Sequence, residues 1–131
     1  MNEKEYGPVE LAYLGDSVYE TAVRKALVTQ AKRNLKDYNK LAMSVVRASA
    51  QCRGARLIEP LLSAEEADVM RRGRNAKCGN VPKSATVDEY RHATGLEALM
   101  GWLYLHGRNG RVEELVSFIA ENELGSRQIH N

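Results

Sequence analysis

Apolar residues recur three and four positions apart along most of this chain, and nowhere do they alternate as in a half-buried strand, so the pattern predicts helices throughout. Gly7-Pro8 opens the first, proline being suited to the first helical position; Leu11, Leu14, Val18 and Ala22 form its apolar stripe, which continues to about Leu27. After a polar connection at 29–33, Asn34 caps a second helix carrying Leu35, Tyr38, Leu41, Ala42, Val45, Val46 and Ala50, with Gly54 as its end. Residues 55–62 fit either a short helix interrupted by Pro60 or a turn. Ser63-Ala-Glu-Glu66 and Thr86-Val-Asp-Glu89 have the form of capping boxes, starting one helix that runs toward Arg74 and another that runs to about His106. Between them, residues 73–84 hold three breakers and no apolar stripe, which predicts an exposed, mobile loop. Residues 107–110 read as a turn. A last helix from 111 to about 123 shows Val112, Leu115, Val116 and Ile119, and the tail from Gly125 is expected to fray.

Five or more helices with short connections give an all-α fold, a compact helical domain with a long, apolar central pair. At 131 residues the chain suffices for a single domain over 1–131, core about 8–123, with no disulfide or metal staple required. Its 44% apolar and 27% charged content is that of a globular protein, and no apolar run reaches the roughly 18 residues of a membrane span. No signal-type apolar core follows the polar first residues, so a cytoplasmic location is expected, with Cys52 and Cys78 as thiols. The net charge of +2 conceals a cluster: residues 71–83 carry Arg71, Arg72, Arg74, Lys77 and Lys83 with no acid, which points to a polyanionic partner.

Two acids interrupt the apolar pattern. Asp16 follows Gly15 at the edge of the first stripe, and Glu97 breaks the apolar run 96–105, with Gly101 one turn further on. Glycine lets helices approach, so a crossing of these two would bring Asp16 and Glu97 face to face. A shared hard cation would relieve their repulsion, and Mg²⁺ suits so sparse a site because it retains waters and binds substrate phosphate. On spacing alone, a local cap for Asp16 and an ion pair of Glu97 with Arg91 or Lys83 account for the acids equally well.

Residues 11–18, Leu-Ala-Tyr-Leu-Gly-Asp-Ser-Val, resemble the ribonuclease III family signature Leu-Glu-Phe-Leu-Gly-Asp-Ser-Val, and residues 93–105 resemble that family's second acidic helix, with its Glu-Ala-Leu-Ile-Gly core. Order and separation match over about 8–123. Nothing remains for a separate double-stranded-RNA-binding domain, and Arg-Asn-Ala-Lys at 74–77 resembles the mini-ribonuclease III branch. The resemblance implies a metal-dependent endoribonuclease for double-stranded RNA that leaves 5′-phosphate ends, with Asp16 and Glu97 as catalytic metal ligands. It further implies Mg²⁺ with Mn²⁺ able to substitute, a homodimer, and maturation of large-subunit (23S) ribosomal RNA precursor. Two family acids are missing: Ala12 and Thr94 stand in their places, so water or the Thr94 hydroxyl would fill coordination positions. The competing expectation is a non-catalytic double-stranded-RNA-binding helical module.

Arg72, Arg74, Asn75, Lys77 and Lys83 are expected to contact RNA phosphates and 2′-hydroxyls; their alternative is a solvated loop. Glu20 is either an outer residue of the metal site, a place Thr94 could also take, or the i−4 ion-pair partner of Arg24. His92 and His106 read as structural or surface residues, and Cys52, Cys78 and His92 lack the paired spacing of a zinc site. Trp102, Tyr104 and Tyr19 read as core or dimer contacts.

Overall fold

The run of buried positions from Ala93 to Leu103, broken only at Glu97, makes helix α5 (Val87–Leu105) apolar almost all round, and such a helix must be enclosed. In a computed structural model of the chain, which describes residues 6–30, 34–76 and 80–125, α1 (Pro8–Gln30), α3 (Ala48–Ile58) and α4 (Ala64–Arg74) pack around α5. Helices α2 (Leu35–Val46) and α6 (Asn109–Leu124) close the remaining sides. The core is continuous, with Trp102, Tyr19, Leu27, Ile58, Leu99 and Leu103 among its fully buried side chains. Every regular element among the described residues is helical, and none is long and apolar enough to cross a membrane.

Both capping boxes form. Ser63 and Thr86 each accept from the backbone three residues on, and Glu66 and Glu89 accept in return from the cap N–H groups. Glu66 also ties α4 to α6: its carboxylate takes Arg111 Nε at 3.0 Å and Nη2 at 2.9 Å, and Nη2 reaches the Leu61 carbonyl at 2.8 Å. This paired fork holds the buried Glu66 carboxyl below its ordinary range.

Three expectations require correction. The pattern at 34–54 is two helices: Arg47 is extended (φ −66°, ψ 155°), and α3 starts afresh at Ala48. Consecutive Val45 and Val46 favour helix only weakly, and the break lets α3 turn onto α5. Gly54 therefore ends nothing; it lies inside α3 where a Cβ would come within 2.8 Å of Ile119. The undecided stretch 55–62 completes α3 and adds a 3-10 turn, Glu59–Leu61, at Pro60. Finally, the buried face of α1 is Leu11, Ala12, Gly15, Tyr19, Ala22, Val23, Ala26 and Leu27, which leaves Leu14 and Val18 half-buried at its edge, Val18 still packed against the core.

Candidate active site

Helices α1 and α5 touch backbone to backbone. A Cβ on Gly15 would be 2.6 Å from the Glu97 carbonyl carbon and 2.8 Å from the Gly101 nitrogen, and one on Gly101 would strike the Leu11 carbonyl. Only paired glycines permit this approach, and it sets the residue after Gly15 beside Glu97. Asp16 is exposed and Glu97 half-buried, so the aspartate is not a charge sunk in the stripe but the outer wall of a small acidic site. Burial of the Glu97 carboxyl, its hydrogen bond with Asp16 and the nearby Asp16 charge push its pKa up to about 8, opposed only by the Gln51 amide.

Gln51 forms the floor. It is 4% exposed, and its amide nitrogen donates to the Val46 carbonyl at 2.7 Å and to Glu97 Oε2 at 3.5 Å. Its Oε1 has no hydrogen-bond partner among the described residues. Two carboxylates and a buried acceptor oxygen lacking a donor form an all-oxygen set, and this fits a hard divalent cation with its waters.

Ala12, at the first missing acid, is buried, and the hydroxyl of Thr94, at the second, donates to the Tyr90 carbonyl at 2.9 Å. Glu20 pairs with Arg24 at 2.9 Å. The expected cationic loop is partly helix: Arg71, Arg72 and Arg74 occupy the last turn of α4 and Asn75 caps it. Arg71 and Arg72 hold Asp68 at 2.6 and 3.3 Å, and Arg74 lies 3.9 Å from Glu59. Helix α4 packs on α5 through Gly73 and Gly95, where a Cβ on Gly95 would be 3.2 Å from Arg74 N, so the cationic end of α4 meets the stretch of α5 that carries Glu97. Lys83 is exposed, and Lys77 lies outside the described residues, as does Cys78.

The fold joins Cys52 and His92 with Asp88, their ligand-type atoms within 4.8 Å of one another. Asp88 is held by Arg56 at 2.7 Å, and burial pushes the Cys52 thiol up, so the contact reads as an ion pair beside a neutral thiol. His106 packs on Trp102 with ring centroids 4.6 Å apart, and Arg108 lies over the same indole. Tyr19 and Trp102 are core residues, whereas Tyr104 is 48% exposed.

Gln51 is the site residue that sequence reasoning missed. A glutamine at a helical position carries no signal of its own; the break at Arg47, which aims it, is marked only by two adjacent valines.

The Ribonuclease III domain family matches residues 9–108. A mini-ribonuclease 3 of Symbiobacterium thermophilum is 43% identical over 114 residues, 87% of this chain and 88% of that one. Another, of Desulfitobacterium hafniense, is 41% identical over 126 residues, 93% and 80% of the two chains. The crystal structure of a Fusobacterium nucleatum protein, 30% identical, superposes with a TM-score of 0.82 over 93% of this chain and 94% of that one. The fold is thus that of a ribonuclease III domain. The chain belongs to the ribonuclease III family and, within it, to the mini-ribonuclease III branch.

Proposed function

We propose that the chain is a divalent-metal-dependent endoribonuclease that cuts double-stranded RNA. The observation that carries this reading is the Asp16–Glu97 pair, two carboxylates held together by a glycine crossing with Glu97 kept protonated up to about 8 for lack of a compensating charge. Asp16 and Glu97 would hold Mg²⁺, or Mn²⁺ in its place. Such an ion supplies the charge that lets both acids ionise, lowers the pKa of a water and stabilises the leaving oxygen of a phosphodiester. Glu97, anchored on the central helix, fixes the position at which phosphate is engaged; Asp16, exposed, completes it from the solvent side. Cleavage leaves 5′-phosphate and 3′-hydroxyl ends. Arg74 and Lys83, with Arg72, Asn75 and Lys77, bind the duplex backbone; the counter-charges on Asp68 and Glu59 are surface pairs that RNA phosphate can displace.

The substrate we favour is precursor of large-subunit (23S) ribosomal RNA in the cytoplasm, cut by a homodimer. Support for the dimer comes from an apolar outer face: Tyr13 is 87% exposed one turn from Val9 at 49%, beside half-buried Leu14 and Leu105, around a groove of about 470 Å³. Tyr13 lies three residues before Asp16, so a second copy docked there would set two acidic sites near one another.

The test is incubation of purified protein with duplex RNA and Mg²⁺. We expect cutting by wild type and a loss of about 10²–10³-fold in Asp16→Asn, the scale of losing an electrostatic group from a transition-state site. No cutting by wild type, or undiminished cutting by Asp16→Asn, would overturn the reading and leave the non-catalytic RNA-binding module. In binding assays without metal, Arg74→Ala and Lys83→Ala should each lower the slope of log affinity against log salt by about one; an unchanged slope would remove those residues from the interface.

A further inference from the structure

A buried amide oxygen without a donor is a cost to stability that folded proteins rarely accept unless something outside the chain supplies the donor. Gln51 presents such an oxygen, on the amide whose nitrogen reaches Glu97 Oε2 at 3.5 Å. The orientation of its amide is settled by chemistry: the Val46 carbonyl, 2.7 Å away, can only accept, so it faces the nitrogen, and Glu97 Oε2 at 3.5 Å lies on the same side. Turning the amide over would set its oxygen against both the Val46 carbonyl oxygen and the Glu97 carboxylate. The Val46 carbonyl is itself available because α2 ends there; a helix running unbroken through Arg47 would have consumed it. The break thus has a local product, a glutamine whose nitrogen is locked and whose oxygen is left over.

Of the neighbours that could have served instead, Ala12 offers no polar atom and the Thr94 hydroxyl is already tied to the Tyr90 carbonyl, to which it donates. Apart from the carboxylates, Oε1 of Gln51 is the buried side-chain oxygen left without a donor at the site among the described residues. A neutral acceptor also suits the charge balance: a third carboxylate would add to the repulsion between Asp16 and Glu97, whereas an amide accepts a hydrogen bond with no charge.

We propose that Gln51 is a positioning residue of the cation site, its amide nitrogen restraining Glu97 and its Oε1 accepting a hydrogen bond from the hydration water of the divalent ion. The inference rests on reading Asp16 and Glu97 as the ligands. It assigns to a residue of α3 part of the work for which the site lacks acids at 12 and 94.

The test is Mn²⁺ binding to metal-free protein, followed by calorimetry and by the paramagnetic resonance signal of free Mn²⁺, with circular dichroism to certify folding. Gln51→Leu, close in shape but without the acceptor, is expected to weaken Mn²⁺ binding about tenfold, the lower end for loss of an outer-shell partner. The Mg²⁺ concentration for half-maximal cleavage should rise by the same factor, while duplex RNA affinity without metal stays within twofold. Gln51→Glu keeps an oxygen there, adds charge and is expected to tighten Mn²⁺ binding, which gives a second reading if the leucine variant folds poorly. A purely structural glutamine would lower the folded fraction and leave the Mn²⁺ affinity of the folded protein alone. Affinities within twofold of wild type in both variants would overturn the proposal, provided that Asp16→Asn loses Mn²⁺ binding in the same assay. Wild-type binding by Asp16→Asn would instead show that the carboxylate pair is not the ligand set, and the role of Gln51 would fall with it.

Discussion

Glu97 and Glu66 are half-buried and buried carboxylates with opposite tendencies, and together they shape how the metal-free protein responds to pH. The Glu97 pKa, about 8 against an ordinary 4.5, means that the folded state binds more protons than the unfolded state between those values, so stability falls as pH rises through that window. Its contribution is complete below 4.5 and lost above 8. Glu66 is held low by Arg111, so its contribution is present above the ordinary carboxylate range and is lost on acidification. Melting in EDTA from pH 4.5 to 9 should therefore show a declining midpoint that Glu97→Gln flattens; an unchanged slope in that variant would refute the assignment. Asp16 and Glu97 were legible in the sequence because a lone acid in an apolar helix stands out. Gln51 was not, since its meaning lies in which atom it turns toward Val46, which depends on the backbone break at Arg47, and its partner Glu97 is 46 residues away.

At the level of elements, capping boxes and breakers were readable because their chemistry is local: Ser63 and Thr86 find their partners three residues away. Ends decided by tertiary packing were not. Leu14 and Val18 keep perfect helical spacing yet are only half-buried, because the close crossing at Gly15 rotates α1 toward Leu11, Tyr19 and Ala22. Residues 73 and 74 were read into a loop because glycine and arginine suggest no apolar stripe, whereas Gly73 is the packing residue of the last turn of α4. Two substitutions measure these joints. Gly15→Ala must push backbone from backbone and should destabilise by at least about 3 kcal/mol, the upper part of the range for overpacking, with cleavage lost. Arg111→Ala leaves the Glu66 carboxylate buried without its fork and should cost about 3 kcal/mol, the low end for breaking a buried pair because Arg111 retains some solvent contact. Urea titration checks both, and a change below 1 kcal/mol in either would show that the helices relax more freely than the packing implies.

For the whole molecule, the all-α architecture and its central apolar helix followed from periodicity, while the surface proposed for a second copy did not, because an exposed tyrosine is visible only once its helix has been oriented. Placing a charge on that surface by Tyr13→Glu should shift the protein toward monomer in sedimentation equilibrium with no change in helix content. Identical masses for variant and wild type would exclude the α1 face as the contact.

The crossing of α1 and α5 bears on the paths by which this chain can change. When two side chains clash, shrinking the partner restores the fit, so genetic suppressors commonly arise in pairs. Here each added methyl would meet a main-chain carbonyl of the other helix, and no substitution can trim a carbonyl. A selection for restored activity in Gly15→Ala should thus return glycine at that codon, and no second-site change at Gly101.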